Sequence, residues 1–262
     1  MSTELPKNSI PWTGLDVLLF LALWLAGQLM IGLAIGVVAY TVSPTQSQTQ
    51  ATEGENQCHE HPIQQLVQQS KNSLAILLVA FMFAVVAVPL VEEFLFRLLF
   101  QGWLEATLRQ FHMPYASGIS IIFVSLCFAA MHGVRGGSMD GLMLLFLAVT
   151  VTIFSLSLFA LGMVYLKEIR NVKLTDLFGT ERFFRPRFFT YAGCCLLALL
   201  LTYGLNGILD KVYPDTNTDP IPIFFISLVF GTLYSRTRNI SYSILLHACL
   251  NGTSLALLWL TV

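Results

Sequence analysis

The sequence has 262 residues, of which 55% are hydrophobic and only 11% are charged, and its mean hydropathy is +0.71. Soluble domains carry about 25% charged residues, so this composition excludes a water-soluble globular protein. The formal net charge is −1 and the basic residues are scattered over short loops, which argues against nucleic acid as a partner. Apolar runs of roughly 20 residues, the length that a bilayer requires, predict one membrane-embedded domain over residues 1–262.

The apolar runs predict an all-α, polytopic transmembrane helix bundle of about seven spans. The first span is predicted at 15–42, and the polar segment 43–72, rich in Gln, Thr and Ser, is predicted to be an extramembrane loop. Further spans are predicted at 73–91, 117–132, 141–166, 188–209, 221–235 and 240–260. Between 92 and 110, charges interrupt a Leu/Phe-rich pattern, which predicts an amphipathic or cavity-lining helix.

The distribution of lysine and arginine predicts the orientation in the membrane. With the N-terminus in the cytoplasm, only Lys71, Arg135 and Lys211 of the 14 basic residues fall outside, as the positive-inside rule requires. A short chain without long soluble domains fits an integral protein of the bacterial inner membrane.

Three charged residues follow the second apolar run in the segment VEEFLFR. On an α-helix Glu93 and Arg97 are i,i+4 neighbours that can form an ion pair. Glu92 points about 100° away and stays free for another partner. A free carboxylate at membrane depth is a candidate general base. The alternative is an interfacial helix end with all three residues among lipid headgroups.

Two further segments place polar residues on apolar helices. Phe128 and His132 share a helix face, as do His247 and Asn251, which lie deep in the last apolar run. Taken alone, each histidine is compatible with simple hydrogen bonding between helices. Together with Glu92 they supply a base, a second ligand for water or metal, and two donors for an oxyanion.

These residues resemble the CPBP family, which contains the type II CAAX prenyl proteases and bacterial relatives linked to bacteriocin processing and self-immunity. The family motifs EExxxR, FxxxH and HxxxN are matched, in order, by Glu92, Glu93, Arg97, Phe128, His132, His247 and Asn251. The interval of about 141–220 between the second and third motifs looks long for the family. We therefore expect a two-span insertion there.

The resemblance implies a role for each matched residue. Glu92 would be the catalytic base that activates water, assisted by His132, and His247 and Asn251 would stabilise the oxyanion. The remaining residues would have supporting roles, with an orienting ion pair and a packing contact beside the site supplied by Glu93, Arg97 and Phe128.

The cofactor and the substrate are less closely defined by the resemblance. Glu92, His132 and His247 also fit a zinc ligand set, and members of the family are often labelled metalloproteases, whereas water activation by Glu and His needs no metal. We expect an intramembrane endopeptidase surrounded by membrane lipid, acting on a peptide or protein substrate such as a prenylated CAAX sequence or a leader peptide. The alternatives are a non-catalytic immunity or scaffold protein of the same fold and a proton- or cation-coupled transporter.

Overall fold

The computed structural model describes residues 10–42, 70–71, 73–132, 141–178 and 220–261, and within the remaining chain 193, 196, 200, 203–205, 208 and 211. The secondary structure of these residues is helical, and no strand occurs among them. The all-α prediction is therefore confirmed. Most of the predicted loop 43–72 and of the predicted span 188–209 lies outside the described residues.

Seven helices are bounded within the described ranges. They are α1 (Gly14–Val42), α2 (Leu74–Gln110), α3 (Ala116–His132), α4 (Gly141–Glu168), α5 (Leu174–Phe178), α6 (Pro220–Thr237) and α7 (Ile240–Thr261). In this described part, α1, α2, α4 and α7 are long and apolar enough to cross a membrane, and α3 is a shorter apolar helix. The predicted total of about seven spans stays a prediction.

Helix α2 is continuous through the predicted span 73–91 and the predicted cavity-lining segment 92–110, as the Leu/Phe-rich pattern that continues past the charges indicated. It alternates between α-helical and π-helical turns, with π-helix at Met82–Ala87 and Glu93–Gln101. Four charged residues after Val91 do not end the helix because they are buried inside the protein rather than facing lipid; they are Glu92, Glu93, Arg97 and Glu105. Pi-helical turns are rare and frequently mark functional sites.

Helices α1 and α4 pack antiparallel along their length. At one end, the Asp16 carboxylate accepts hydrogen bonds from the Tyr165 hydroxyl (2.6 Å) and from Arg170 Nη2 (2.5 Å), and the bond to Asp16 raises the pKa of the Arg170 guanidinium. Further along, Gly27 leaves room for the Phe154 ring, since a Cβ on Gly27 would lie 2.0 Å from it. The N-terminal helix is thereby fixed against α4.

Helix α4 also packs against α2, although it begins the interval that the sequence predicted to be an insertion. A Cβ on Gly162 would lie 2.2 Å from the fully buried Phe94 ring of α2, so the two helices are in close contact. On another side, Gln101 Nε2 donates to the Gly231 carbonyl at 2.8 Å and joins α2 to α6. The middle of α2 is thus enclosed by neighbouring helices, and its buried polar residues face protein.

Candidate active site

Glu92 lies at the end of an α-helical turn of α2 between the two π-helical segments. It is 8% exposed. Its Oε1 is 3.7 Å from His132 Nε2, and its Oε2 is 3.7 Å from His247 Nε2. These separations exceed a hydrogen bond, but a water or substrate atom lying beside both groups could bond to each. Three helices, α2, α3 and α7, therefore converge on one carboxylate.

The orientation of His132 is set by its own helix. Its Nδ1 lies 2.8 Å from the Phe128 carbonyl oxygen, and because a carbonyl only accepts, Nδ1 must carry the hydrogen. In the neutral ring, Nε2 then presents a lone pair towards Glu92. The side chain is about one-third exposed (33%), so His132 is the most accessible of the groups around Glu92.

His247 is held from the opposite side by the second glutamate. Its Nδ1 lies 3.0 Å from Glu93 Oε1, which identifies Nδ1 as the donor because a carboxylate oxygen accepts. The Phe230 ring lies against the imidazole with centroids 5.1 Å apart. Glu93 therefore orients the histidine whose other nitrogen faces Glu92, in the manner of the carboxylates behind functional histidines in metal sites.

Glu93 and Arg97 form the ion pair that their spacing predicted, with Arg97 Nε 3.5 Å from Glu93 Oε2 and both side chains fully buried. Arg97 Nη2 also donates to the Ser227 hydroxyl at 2.5 Å. The guanidinium lies 5.5 Å from the centroid of the Phe128 ring. Phe128 thus packs against the supporting arginine and also against the ring of His132, 4.5 Å away.

Asn251 is engaged with the backbone of α2. Its Nδ2 donates to the Ala84 carbonyl at 2.7 Å. In the π-helical register, where the Val88 N–H bonds the Phe83 carbonyl, the next donor would be Pro89, which has no N–H. Asn251 therefore supplies the hydrogen bond that Pro89 cannot, and among the described residues its second amide hydrogen has no acceptor.

These groups border a cavity of about 610 Å³ whose walls are mainly apolar. Glu92, His132 and Asn251 line it, and His247 lies behind Glu92. The rest of the lining is contributed by Trp24, Gln28, Phe83, Ala84, Val88, Val91, Met131, Leu147, Val151, Ser155, Ser254, Leu255 and Leu258. A cavity of this size is in the range of ligand-binding sites.

The zinc site that the sequence left open does not fit this arrangement. Donors that share a tetrahedral zinc at 2.0–2.1 Å lie about 3.4 Å apart, which is shorter than both separations from Glu92. Within the described part of the chain, no group of three or more His, Cys, Asp or Glu side chains could hold a metal ion. The metalloprotease prediction is therefore unsupported, and no step below passes through a metal.

Several residues around the site were not identified from the sequence. Ser227, Gly231 and Phe230 of α6 contact Arg97, Gln101 and His247 respectively. The sequence of α2 did carry a signal that this helix has a buried polar face, because polar residues recur there at every fourth position. These residues, all buried in the structure, are Glu93, Arg97, Gln101 and Glu105.

The described helices include several of membrane length, and they hold a buried carboxylate between two histidines. This arrangement is compatible with an intramembrane hydrolase. Residues 72–253, more than half of the chain, match the sequence family described as Type II CAAX prenyl endopeptidase Rce1-like. The chain belongs to this family and is, in general terms, an intramembrane protease of the CAAX type. The resemblance drawn from the three motifs is thereby confirmed. No curated protein and no solved structure matches the chain.

Proposed function

We propose that the protein is an endopeptidase in which Glu92 activates water without a metal. A water beside Glu92 and His132 would give one proton to Glu92 and attack the carbonyl carbon of the scissile peptide bond. Glu92 then returns that proton to the leaving amine as the C–N bond breaks. The neutral His132, with Nδ1–H held by Phe128, accepts a hydrogen bond from the water at Nε2.

His247 would stabilise the negative charge that develops on the carbonyl oxygen. For this it must donate from Nε2 while Nδ1 donates to Glu93, so the imidazole must be protonated. With both glutamates ionised, as the proposed reaction requires, Glu92 and Glu93 would carry two negative charges against the one positive charge of Arg97. A protonated His247 brings this buried cluster to neutrality, and isolated buried charge is costly.

The second oxyanion donor would be Asn251. One of its two amide hydrogens is used by the Ala84 carbonyl, and this bond fixes the plane of the amide. The remaining hydrogen is available on a residue that lines the cavity. Preorganised donors of this kind typically contribute 10² to 10³ in rate, to order of magnitude.

The mainly apolar cavity favours a substrate that carries a lipid or a hydrophobic peptide segment. Because the family is that of the CAAX prenyl endopeptidases, we propose prenylated C-terminal peptides as the substrate class. Hydrophobic leader peptides are the second candidate. We further propose that residues 1–262 form one domain in a bacterial inner membrane, with the N-terminus on the cytoplasmic side.

One observation carries the proposal: the two carboxylate oxygens of Glu92 each face a histidine Nε2, at the wall of a cavity within the membrane-spanning bundle. Its test is cleavage of a fluorescent, farnesylated peptide ending in Cys-Val-Ile-Met by the full chain in lipid nanodiscs, with products identified by mass spectrometry. Glu92→Gln should reduce kcat by about 10³-fold or more, as loss of a general base does.

The matched control is Glu168→Gln, which makes the same change at an exposed glutamate paired with Lys167 and should leave the rate unchanged. Full activity in Glu92→Gln would contradict the mechanism. Preserved cellular function without cleavage would favour the scaffold interpretation. Proton-coupled flux in liposomes that depends on Glu92 would favour the transporter.

A further inference from the structure

Two buried hydrogen-bond donors that belong to none of the family motifs lie in the cavity wall. Trp24 Nε1 and Ser155 Oγ are shielded from solvent and have no hydrogen-bond partner among the described residues, and both residues line the cavity. Ser155 is only 1% exposed. Buried polar groups are nearly always satisfied, so two unsatisfied donors at one cavity suggest a bound partner.

The contrast with neighbouring hydroxyls of α4 makes Ser155 unusual. The Thr150 and Thr152 hydroxyls donate to the carbonyls four residues earlier, Phe146 at 2.8 Å and Ala148 at 2.7 Å. This local bond is the usual solution for a hydroxyl inside a helix. Ser155, which lines the cavity, makes no such bond.

The packing of α1 on α4 holds the two donors in a fixed relation. Gly27 lies against Phe154 so closely that a Cβ would be 2.0 Å from the ring. Ser155 is the next residue of α4, and Trp24 and Gln28 flank Gly27 on α1. Gln28 lines the same cavity, which adds an amide one turn beyond Trp24.

A chain of aromatic contacts connects this wall to the candidate active site. The Trp24 ring is 6.2 Å from that of Phe96, Phe96 is 5.1 Å from Phe128, and Phe128 is 4.5 Å from His132. The sum of these three separations corresponds to the length of about five residues of extended peptide. One bound peptide segment can therefore reach both places.

We propose that Trp24, Gln28 and Ser155 form a substrate-binding subsite that hydrogen-bonds the backbone carbonyl oxygens of the peptide held in the cavity. This inference rests on the proposed endopeptidase function. Carbonyls are favoured over a free carboxylate because the described lining contains no lysine or arginine and includes the acidic Glu92. The indole N–H is a donor only, so the subsite needs an acceptor from the ligand.

The test uses Trp24→Phe, which removes the N–H but keeps a ring against Phe96, and Ser155→Ala, which removes the hydroxyl. Each should raise KM for the farnesylated Cys-Val-Ile-Met peptide by about three- to tenfold, the value of one hydrogen bond, with kcat little changed, as expected for lost ground-state binding. Thr152→Val removes a satisfied hydroxyl from the same helix and should leave KM unchanged.

A peptide series separates a carbonyl partner from a carboxylate partner. In the wild type, replacing one backbone carbonyl oxygen by sulfur, a weaker acceptor, should raise KM at a position that contacts the subsite. The Trp24→Phe/Ser155→Ala double variant should be insensitive to that replacement. If the double variant instead loses its sensitivity to amidation of the peptide C-terminus, the ligand is a carboxylate and the proposal is overturned.

Failure of the subsite and failure of the protease give different results. Unchanged KM in both variants, with Glu92→Gln inactive, overturns the subsite and leaves the function intact. If the wild type binds the peptide in fluorescence anisotropy without cleaving it, the proposed cleavage of prenylated peptides is refuted, and weaker binding by Ser155→Ala still supports the subsite. A wild type that neither binds nor cleaves the peptide refutes both.

Discussion

Arg97→Met should destabilise the protein far more than Arg109→Met, although both changes remove an arginine from α2. Arg97 and Glu93 are fully buried partners, so removing Arg97 leaves the buried cluster of Glu92, Glu93 and His247 with a net negative charge. Breaking such a pair costs about 3–5 kcal/mol. Arg109 is 48% exposed, and its partner Glu105 keeps Arg238, so its loss should cost at most about 1 kcal/mol.

The assay is thermal unfolding of the purified protein in detergent, together with a double-mutant cycle. A cost of 3–5 kcal/mol corresponds to a fall in Tm of roughly 10 °C for a chain of this size. Glu93→Gln/Arg97→Met should recover most of that loss, because no unpaired charge remains. It should not recover cleavage, because the carboxylate that orients His247 is gone.

An Arg97→Met protein with wild-type stability would refute the argument that this pair is buried and mutually dependent. Equal destabilisation by Arg97→Met and Arg109→Met would do the same, since the two sites would then experience similar solvation. A double variant less stable than either single variant would show that the ion pair is not the dominant interaction of Glu93.

Three other predictions concern packing and topology. Asp16→Asn should lower stability by about 1–3 kcal/mol, the value of a hydrogen bond to a charged group, because Asp16 joins α1 to Arg170; chemical denaturation measures it. Gly162→Ala should lower Tm by several degrees because the new Cβ meets buried Phe94, whereas Gly118→Ala, with nothing within 4 Å, should not. An N-terminal tag should resist protease in intact bacterial spheroplasts if the terminus is cytoplasmic.

The helix positions could be predicted closely from hydropathy. The last two helices were predicted at 221–235 and 240–260, and the structure has them at Pro220–Thr237 and Ile240–Thr261. Such agreement is expected, because burial of apolar surface in lipid depends on composition and length rather than on detailed packing.

The continuity of α2 past its charges could be predicted from the continuing Leu/Phe-rich pattern, whereas the distant partners of those charges could not. Glu93 and Arg97 are stabilised by each other and by Ser227 of α6, a residue 130 positions away in the sequence. The sequence spacing did identify the Glu93–Arg97 pair, because that contact is local. It could not identify Ser227 or Phe230, because only tertiary packing brings them to the site.

In the candidate site, too, the residue types could be predicted from the sequence, whereas contacts that depend on tertiary packing could not. The motifs identified the groups that the structure brings together at Glu92, namely His132 and His247, while their roles stay predictions. The contact of Asn251 with the Ala84 carbonyl depends on a π-helical register and a proline, and neither effect is visible from the spacing of His247 and Asn251 alone.

The π-helical turns of α2 have a consequence for how the segment can change in evolution. In an α-helix, residues four apart advance by about 40° around the axis, so a row of every fourth residue winds gradually off one face. A π-helical turn holds more residues than an α-helical one, so four residues no longer complete a full turn and the advance is reversed. The polar row therefore stays on the buried side; its members are Glu93, Arg97, Gln101 and Glu105. Deleting a single residue within Glu93–Gln101 would break the four-residue spacing of this row, and closure of a π-helical turn to an α-helical one would restore the drift of about 40° per four residues. This stretch should therefore accept substitutions more readily than changes in length.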